Sequence, residues 1–155
     1  MNAKDPITYV PSNESRLGGG DIVISLTPEQ SQKLGMEAGI LADWFHSALW
    51  ALAMLRTVNP AADGVPSSTW HTMINDVDHQ LLPRLEGIRD ALIRAHDSSG
   101  GSVGDLALAM DVPRSTAQYR RDVLRRSQKS TWEDWAVFGG PQHGGEAPQD
   151  DRDGQ

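Results

Sequence analysis

Pro113 is the residue that most restricts how this chain can fold. It separates two runs that both follow the helical period, Ser102–Met110 and Arg114–Arg126. A proline in a helix interior loses a backbone hydrogen bond and clashes with the preceding turn, whereas at the first helical position it costs nothing. The pattern therefore predicts a short helix, a tight Asp111-Val-Pro113 connection and a second helix. In the first helix Leu106 and Met110 lie one turn apart on a core face, and Ala107 is small enough for close approach. Val112 plugs the turn, and Ala117 and Leu124 mark the buried side of the second helix. The chain has no cysteine, so no disulfide or thiolate-bound metal holds the pair.

Upstream, the capping-box pattern of Thr27, Pro28 and Gln30 starts a long helix that runs to about Val58. Ile40, Leu41, Trp44, Ala48, Leu52 and Leu55 recur at helical spacing, and Phe45, Leu49 and Trp50 widen the apolar stripe beyond one face. A helix so apolar is either central in the fold or shared with another subunit; the preferred expectation is a homodimer, with Leu41, Trp44, Phe45, Leu49 and Trp50 at its interface. A second helix begins at Ser67 or Ser68. Trp70, Ile74, Val77, Leu81, Leu85, Ile88, Leu92 and Ala95 trace its face, and Pro83 kinks or splits it near Leu82.

Asp21–Leu26 reads as one short strand, pairing with its own copy in a dimer or packing as an extended segment. The fold class is thus all-α, with a C-terminal helix-turn-helix, a short N-terminal strand and flexible tails. Residues 1–20 form a flexible arm, 21–97 the helical and dimerising region, 98–138 the helix-turn-helix with an aromatic segment, and 139–155 a disordered acidic tail. In the aromatic segment Trp132, Trp135 and Phe138 share one edge. That edge either folds back to seal the core or docks on a partner protein.

Charge points to function. The net charge is −7, yet Val112–Lys129 holds six basic residues against Asp122 alone. That segment carries +5 and the remainder −12. A local basic helix on an acidic protein suits a specific phosphate-rich partner. In a helix-turn-helix the second helix enters the major groove with its N-terminal end first. Arg114 and Gln118 then read base edges, Ser115 and Thr116 reach phosphate, and Tyr119 either lies along the sugar-phosphate wall or buttresses the helix. Arg121 and Arg125, four residues apart, hold the backbone.

Two stretches, Leu85-Glu-Gly-Ile-Arg-Asp-Ala-Leu-Ile-Arg94 and Val112-Pro-Arg-Ser-Thr-Ala-Gln-Tyr-Arg-Arg121, resemble small helix-turn-helix proteins of actinobacteria, which often carry VPRSTAQ in the recognition helix. The resemblance covers about Leu82–Arg126 and implies binding to double-stranded DNA in transcriptional control. Two positions depart from that pattern. Asp111 stands where such turns have glycine. Arg120 stands where an apolar residue packs inward, which predicts an ion pair for its head, with Asp105 as the partner.

The competing expectation is a protein-interaction adaptor that grips its partner through the aromatic first helix and the Trp-rich segment, without touching DNA. His46, His71, His79, His96 and His143 are scattered and predict no metal site. No phosphate-binding glycine loop or catalytic constellation stands out, so neither a cofactor nor an enzyme is expected. The N-terminus lacks a secretory pattern, and the Ser47–Leu55 apolar run is too short to span a bilayer. These features predict a soluble, cytoplasmic protein.

Overall fold

The computed structural model describes residues 6–140, which are mostly helical with a small two-stranded sheet. The chain divides into two compact units, Met1–Ile40 and Leu41–Gln155.

In the first unit, β1 (Ile7–Val10) pairs antiparallel with β2 (Asp21–Ile24), with Ile7 opposite Ile24 and Val10 opposite Asp21. This corrects two expectations. Ile7–Val10 is a strand and not part of a flexible arm, and β2 finds its partner within the chain. Gly20 makes the return possible. Its φ is +101°, and the Tyr9 ring fills the space that a Cβ would take. Helix α1 (Pro28–Leu34) starts as expected. The Gln30 N–H donates to Thr27 Oγ1 at 3.1 Å, and the Thr27 N–H donates to Gln30 Oε1 at 3.0 Å. It does not continue to Val58, because Gly35, at φ +52°, ends it. A separate helix, α2 (Glu37–Thr57), follows.

None of the residues of α2 is buried. At 21 residues it is long and apolar enough to cross a membrane by length and composition alone, which the Ser47–Leu55 run taken by itself is not. From Ser67 to Ser98 the second unit has one continuous helical path: α3 (Ser67–Asn75), a π-helical turn (Asp76–Leu81) and α4 (Leu82–Ser98). Pro66 occupies the cap position without a side-chain hydrogen bond, so neither Ser67 nor Ser68 caps the helix. Pro83 neither splits nor ends it. The widened turn just before it absorbs the missing N–H, and Leu82 N–H donates five residues back, to the carbonyl of Val77. An extra residue per turn rotates everything downstream. The face expected from spacing is therefore displaced: Leu85, Leu92 and Ala95 lie outward, while Gly87 and Ile93 are buried. Ile74, upstream of the turn, is also exposed, and Met73 is buried in its place.

Helix α6 (Arg114–Arg126) packs on both α5 (Val103–Met110) and α4. The core lies where the three meet, in Ile93, Val103, Leu106, Ala107, Ala117 and Leu124, with Met110 and Val112 against it. Spacing assigned Leu106, Ala107, Met110, Val112, Ala117 and Leu124 to the interior; Ile93 and Val103 were not among the expected positions. Ala117 has 0% of its surface exposed. A larger side chain there would push α6 off its neighbours. Ser102 caps α5 by accepting from the Asp105 N–H at 3.0 Å.

The last helix among the described residues is α7 (Thr131–Phe138), which packs on α4. Gly87 permits this approach, since a Cβ there would come within 2.5 Å of the Trp132 carbonyl group. Trp132 and Trp135 stack edge to face, with centroids 5.9 Å apart. The Arg84 guanidinium lies 4.5 Å from the Trp132 ring, 5.7 Å from Trp135 and 5.9 Å from Trp44. Two of the three aromatic residues of this segment thus fold back on the domain, and Phe138 remains exposed. Of the acidic tail, only Gly139 and Gly140 fall among the described residues; the remainder lies outside them.

Candidate nucleic-acid interface

The α5–α6 connection is three residues long, and Asp111 makes it tight. It ends α5 in the left-handed conformation, φ 51° and ψ 48°, the only positive φ outside glycine among the described residues. Val112 N–H then donates to the Ala107 carbonyl at 3.1 Å. Asp adopts this backbone at some cost in strain, as a short polar side chain can.

Helix α6 begins without a side-chain cap, because Pro113 has none to give. Thr116 and Ala117 N–H both donate to the Pro113 carbonyl. The N–H groups of Arg114 and Ser115 come before the first intrahelical bonds and carry the positive end of the helix dipole. Arg114, Ser115, Thr116 and Tyr119 are all exposed, Tyr119 at 71%. Ser115, Tyr119 and Arg126 align four and seven residues apart, opposite the buried edge of Ala117 and Leu124.

The other arginines behave differently. Arg125 makes a two-pronged contact with Asp97 on α4, Nε to Oδ2 at 2.7 Å and Nη2 to Oδ1 at 2.6 Å. Arg121, with only 14% of its side chain exposed, lies 3.6 Å from the same carboxylate and donates to the Gly101 carbonyl at 3.3 Å. Hydrogen bonding from Arg125, reinforced by the charges of both arginines, holds the Asp97 carboxyl below its ordinary range against the effect of burial. Gln118, expected to read a base, has its amide engaged on both sides. Its Nε2 donates to Asp122 at 2.8 Å, and its Oε1 accepts from Arg121 at 3.3 Å. The head of Arg120 is paired as the sequence implied, but with Asp90 at 3.1 Å. Asp105 instead accepts from the Ser102 hydroxyl at 2.7 Å.

The basic segment is thus two populations. Arg120, Arg121 and Arg125 brace α6 on α4, whereas Arg114, Arg126 and Lys129 form no ion pair among the described residues. Nothing local in the sequence marks Asp90 or Asp97 as partners, because they stand about 30 residues from the arginines they hold.

A second buried pair ties the domain together. Glu133, 3% exposed, accepts from Arg94 Nε. Arg94 also donates to the carbonyls of Leu124 and Ser127. Burial works to raise the Glu133 pKa, but the Arg94 bond and charge and the Ser130 N–H outweigh it and hold the carboxyl below its ordinary value. Glu133 was missed as a site residue, yet Ser130 and Glu133 spell a capping box, formed here by Glu133 N–H to Ser130 Oγ at 3.1 Å and Ser130 N–H to Glu133 Oε2 at 2.9 Å.

Of the five residues expected at a dimer interface, Leu41 is half-buried and Trp44 faces Arg84, while Phe45, Leu49 and Trp50 are exposed. No family model, curated protein or solved structure matches this chain.

Proposed function

We propose that the α5–α6 pair is a helix-turn-helix that binds double-stranded DNA sequence-specifically, in transcriptional control. The observation that carries this reading is the exposed, uncapped and basic start of α6, presented by a tight left-handed turn at Asp111 and braced from behind by Asp90 and Asp97. The resemblance over Leu82–Arg126 points the same way.

The geometry reassigns roles within that mechanism. Arg114 leads into the major groove, where a guanidinium pairs with the two acceptors of guanine. Ser115, Thr116 and the free N–H groups of the first turn take phosphate. Tyr119 lies along the groove wall, and Arg126 supplies backbone charge at the far end of the same face. Arg121 and Arg125 set the angle of α6 through Asp97, and Gln118 stiffens the helix surface through Asp122.

One observation favours a second reading. Leu108 on α5 is 82% exposed, and Tyr119 and Val123 are exposed one turn apart on α6, apolar side chains suited to contact with another protein. Salt separates the two. Fluorescence anisotropy with a labelled duplex should show affinity falling steeply as salt rises, and Arg126→Ala should reduce that slope by about one. Arg114→Ala should change which sequence is retained from a random duplex pool. Binding that is absent at low salt, or insensitive to salt, would reject the DNA reading in favour of the protein-contact one.

A further inference from the structure

We infer that α2 is a self-association surface, pairing antiparallel with α2 of a second copy of this chain. Phe45, Leu49 and Leu52 lie on one exposed stripe at four- and three-residue spacing. Small Ala42 and Ala53 flank the stripe, and Leu55 extends it. Alternating steps of three and four residues form the seam of a two-helix coil, with Ala42, Leu49 and Arg56 as one set of seam positions and Ala38, Phe45 and Leu52 as the other.

Area and charge select the occupant. At the exposures of Phe45, Leu49, Leu52 and Leu55 the stripe offers roughly 400 Å² on each helix, so that two copies bury about 800 Å², the size of a weak and reversible contact. Charge then decides direction. Glu37 stands in the first turn and Arg56 in the last. A parallel pair would set each charge against its own copy. An antiparallel pair that interleaves the two seam sets places Phe45 against the other copy's Leu49, Ala42 against its Leu52, and Ala38 against its Arg56. Glu37 then lies beside that last layer, next to the oppositely charged guanidinium.

The helix also has the length and apolarity of a membrane span, but Asp43 lies two turns inside it, where a carboxylate costs about 3 kcal/mol in a bilayer. In an antiparallel pair Asp43 is off the seam and stays in water.

The measurement is the solution mass of the full chain by sedimentation equilibrium across a concentration series. The expected result is a reversible dimer, and Leu49→Asp should shift it to monomer with unchanged helical circular dichroism, since Leu49 is exposed. Direction is read from a spin label at Thr57→Cys, a clean position in a chain without cysteine. Antiparallel pairing about the centre of the Phe45–Leu49 layers puts the two labels about 30 Å apart along the helices, at 1.5 Å per residue. A parallel pair would bring them within about 15 Å. A monomer at all concentrations, a dimer that survives Leu49→Asp and Leu52→Asp, a short label distance, or flotation of the monomer with phosphatidylcholine vesicles would each overturn the inference.

Discussion

Replacing Arg94 by Met should be among the most damaging single changes in the described domain, and its cost should depend on pH. Met keeps much of the apolar stem but removes every donor. Glu133 is left as a buried carboxylate with only its own cap, and the Leu124 carbonyl keeps only the long contact from the Ser127 hydroxyl, at 3.4 Å. Breaking a buried pair from one side costs about 3–5 kcal/mol. Protonation sets a ceiling on the charge part. Neutralising a carboxyl of ordinary pKa near 4.3 at pH 7 costs about 3.7 kcal/mol at 1.36 per unit, so the variant saturates around 3–4. Against a total of about 5–15 kcal/mol, that is a lowering of Tm by roughly 15 °C.

The pH dependence has a definite sign. In the native protein the Glu133 pKa is lowered, so its contribution is full above the ordinary glutamate value and is lost as pH falls through the lowered one. In Arg94→Met the desolvated carboxyl instead has a raised pKa, and the variant regains stability as pH falls through it. Urea unfolding followed by tryptophan fluorescence should therefore give a difference of about 3 kcal/mol at pH 7 that shrinks toward about 1 at pH 4.5. Arg94→Met combined with Glu133→Leu should recover most of the loss, because no buried charge then remains. A pH 7 cost below about 1 kcal/mol, or one that does not change with pH, would refute the reasoning.

Three further outcomes are expected. Gly87→Ala gains about 1 kcal/mol of helix propensity but forces α7 away from α4, at about 1–3 kcal/mol; chemical denaturation should show net destabilisation, and tryptophan fluorescence should shift as the Trp132 packing loosens. Asp111→Gly should stabilise by about 0.5–1 kcal/mol by relieving the left-handed backbone, read as a higher urea midpoint at constant slope. Asp97→Asn removes the acid that holds Arg121 and Arg125; under the DNA reading, in which these arginines set the angle of α6, duplex affinity and thermal stability should both fall, and unchanged affinity would count against that bracing role.

Sequence periodicity alone was enough to place the α5–α6 pair and its interior apart from Val103. Short-range rules govern those features: a proline admitted only at a helix start, small residues where helices touch, and apolar residues one turn apart. Local capping chemistry likewise marked the start of α1 at Thr27. Long-range partners were not legible. β1 had too little apolar alternation to stand out before β2 paired with it, and the π turn before Pro83 rotated a face that a regular helix would have set elsewhere. The division of the arginines is the largest such difference. Six similar basic residues within one segment look equivalent by composition. Asp90 and Asp97 reach the segment only because α4 folds beside α6, and they convert three of those residues into braces while Arg114, Arg126 and Lys129 stay exposed. The sequence determined which charges exist; the packing of α4 against α6 decided which remain available, because a charge is engaged by what lies within a few ångströms of it in space, whatever the distance along the chain.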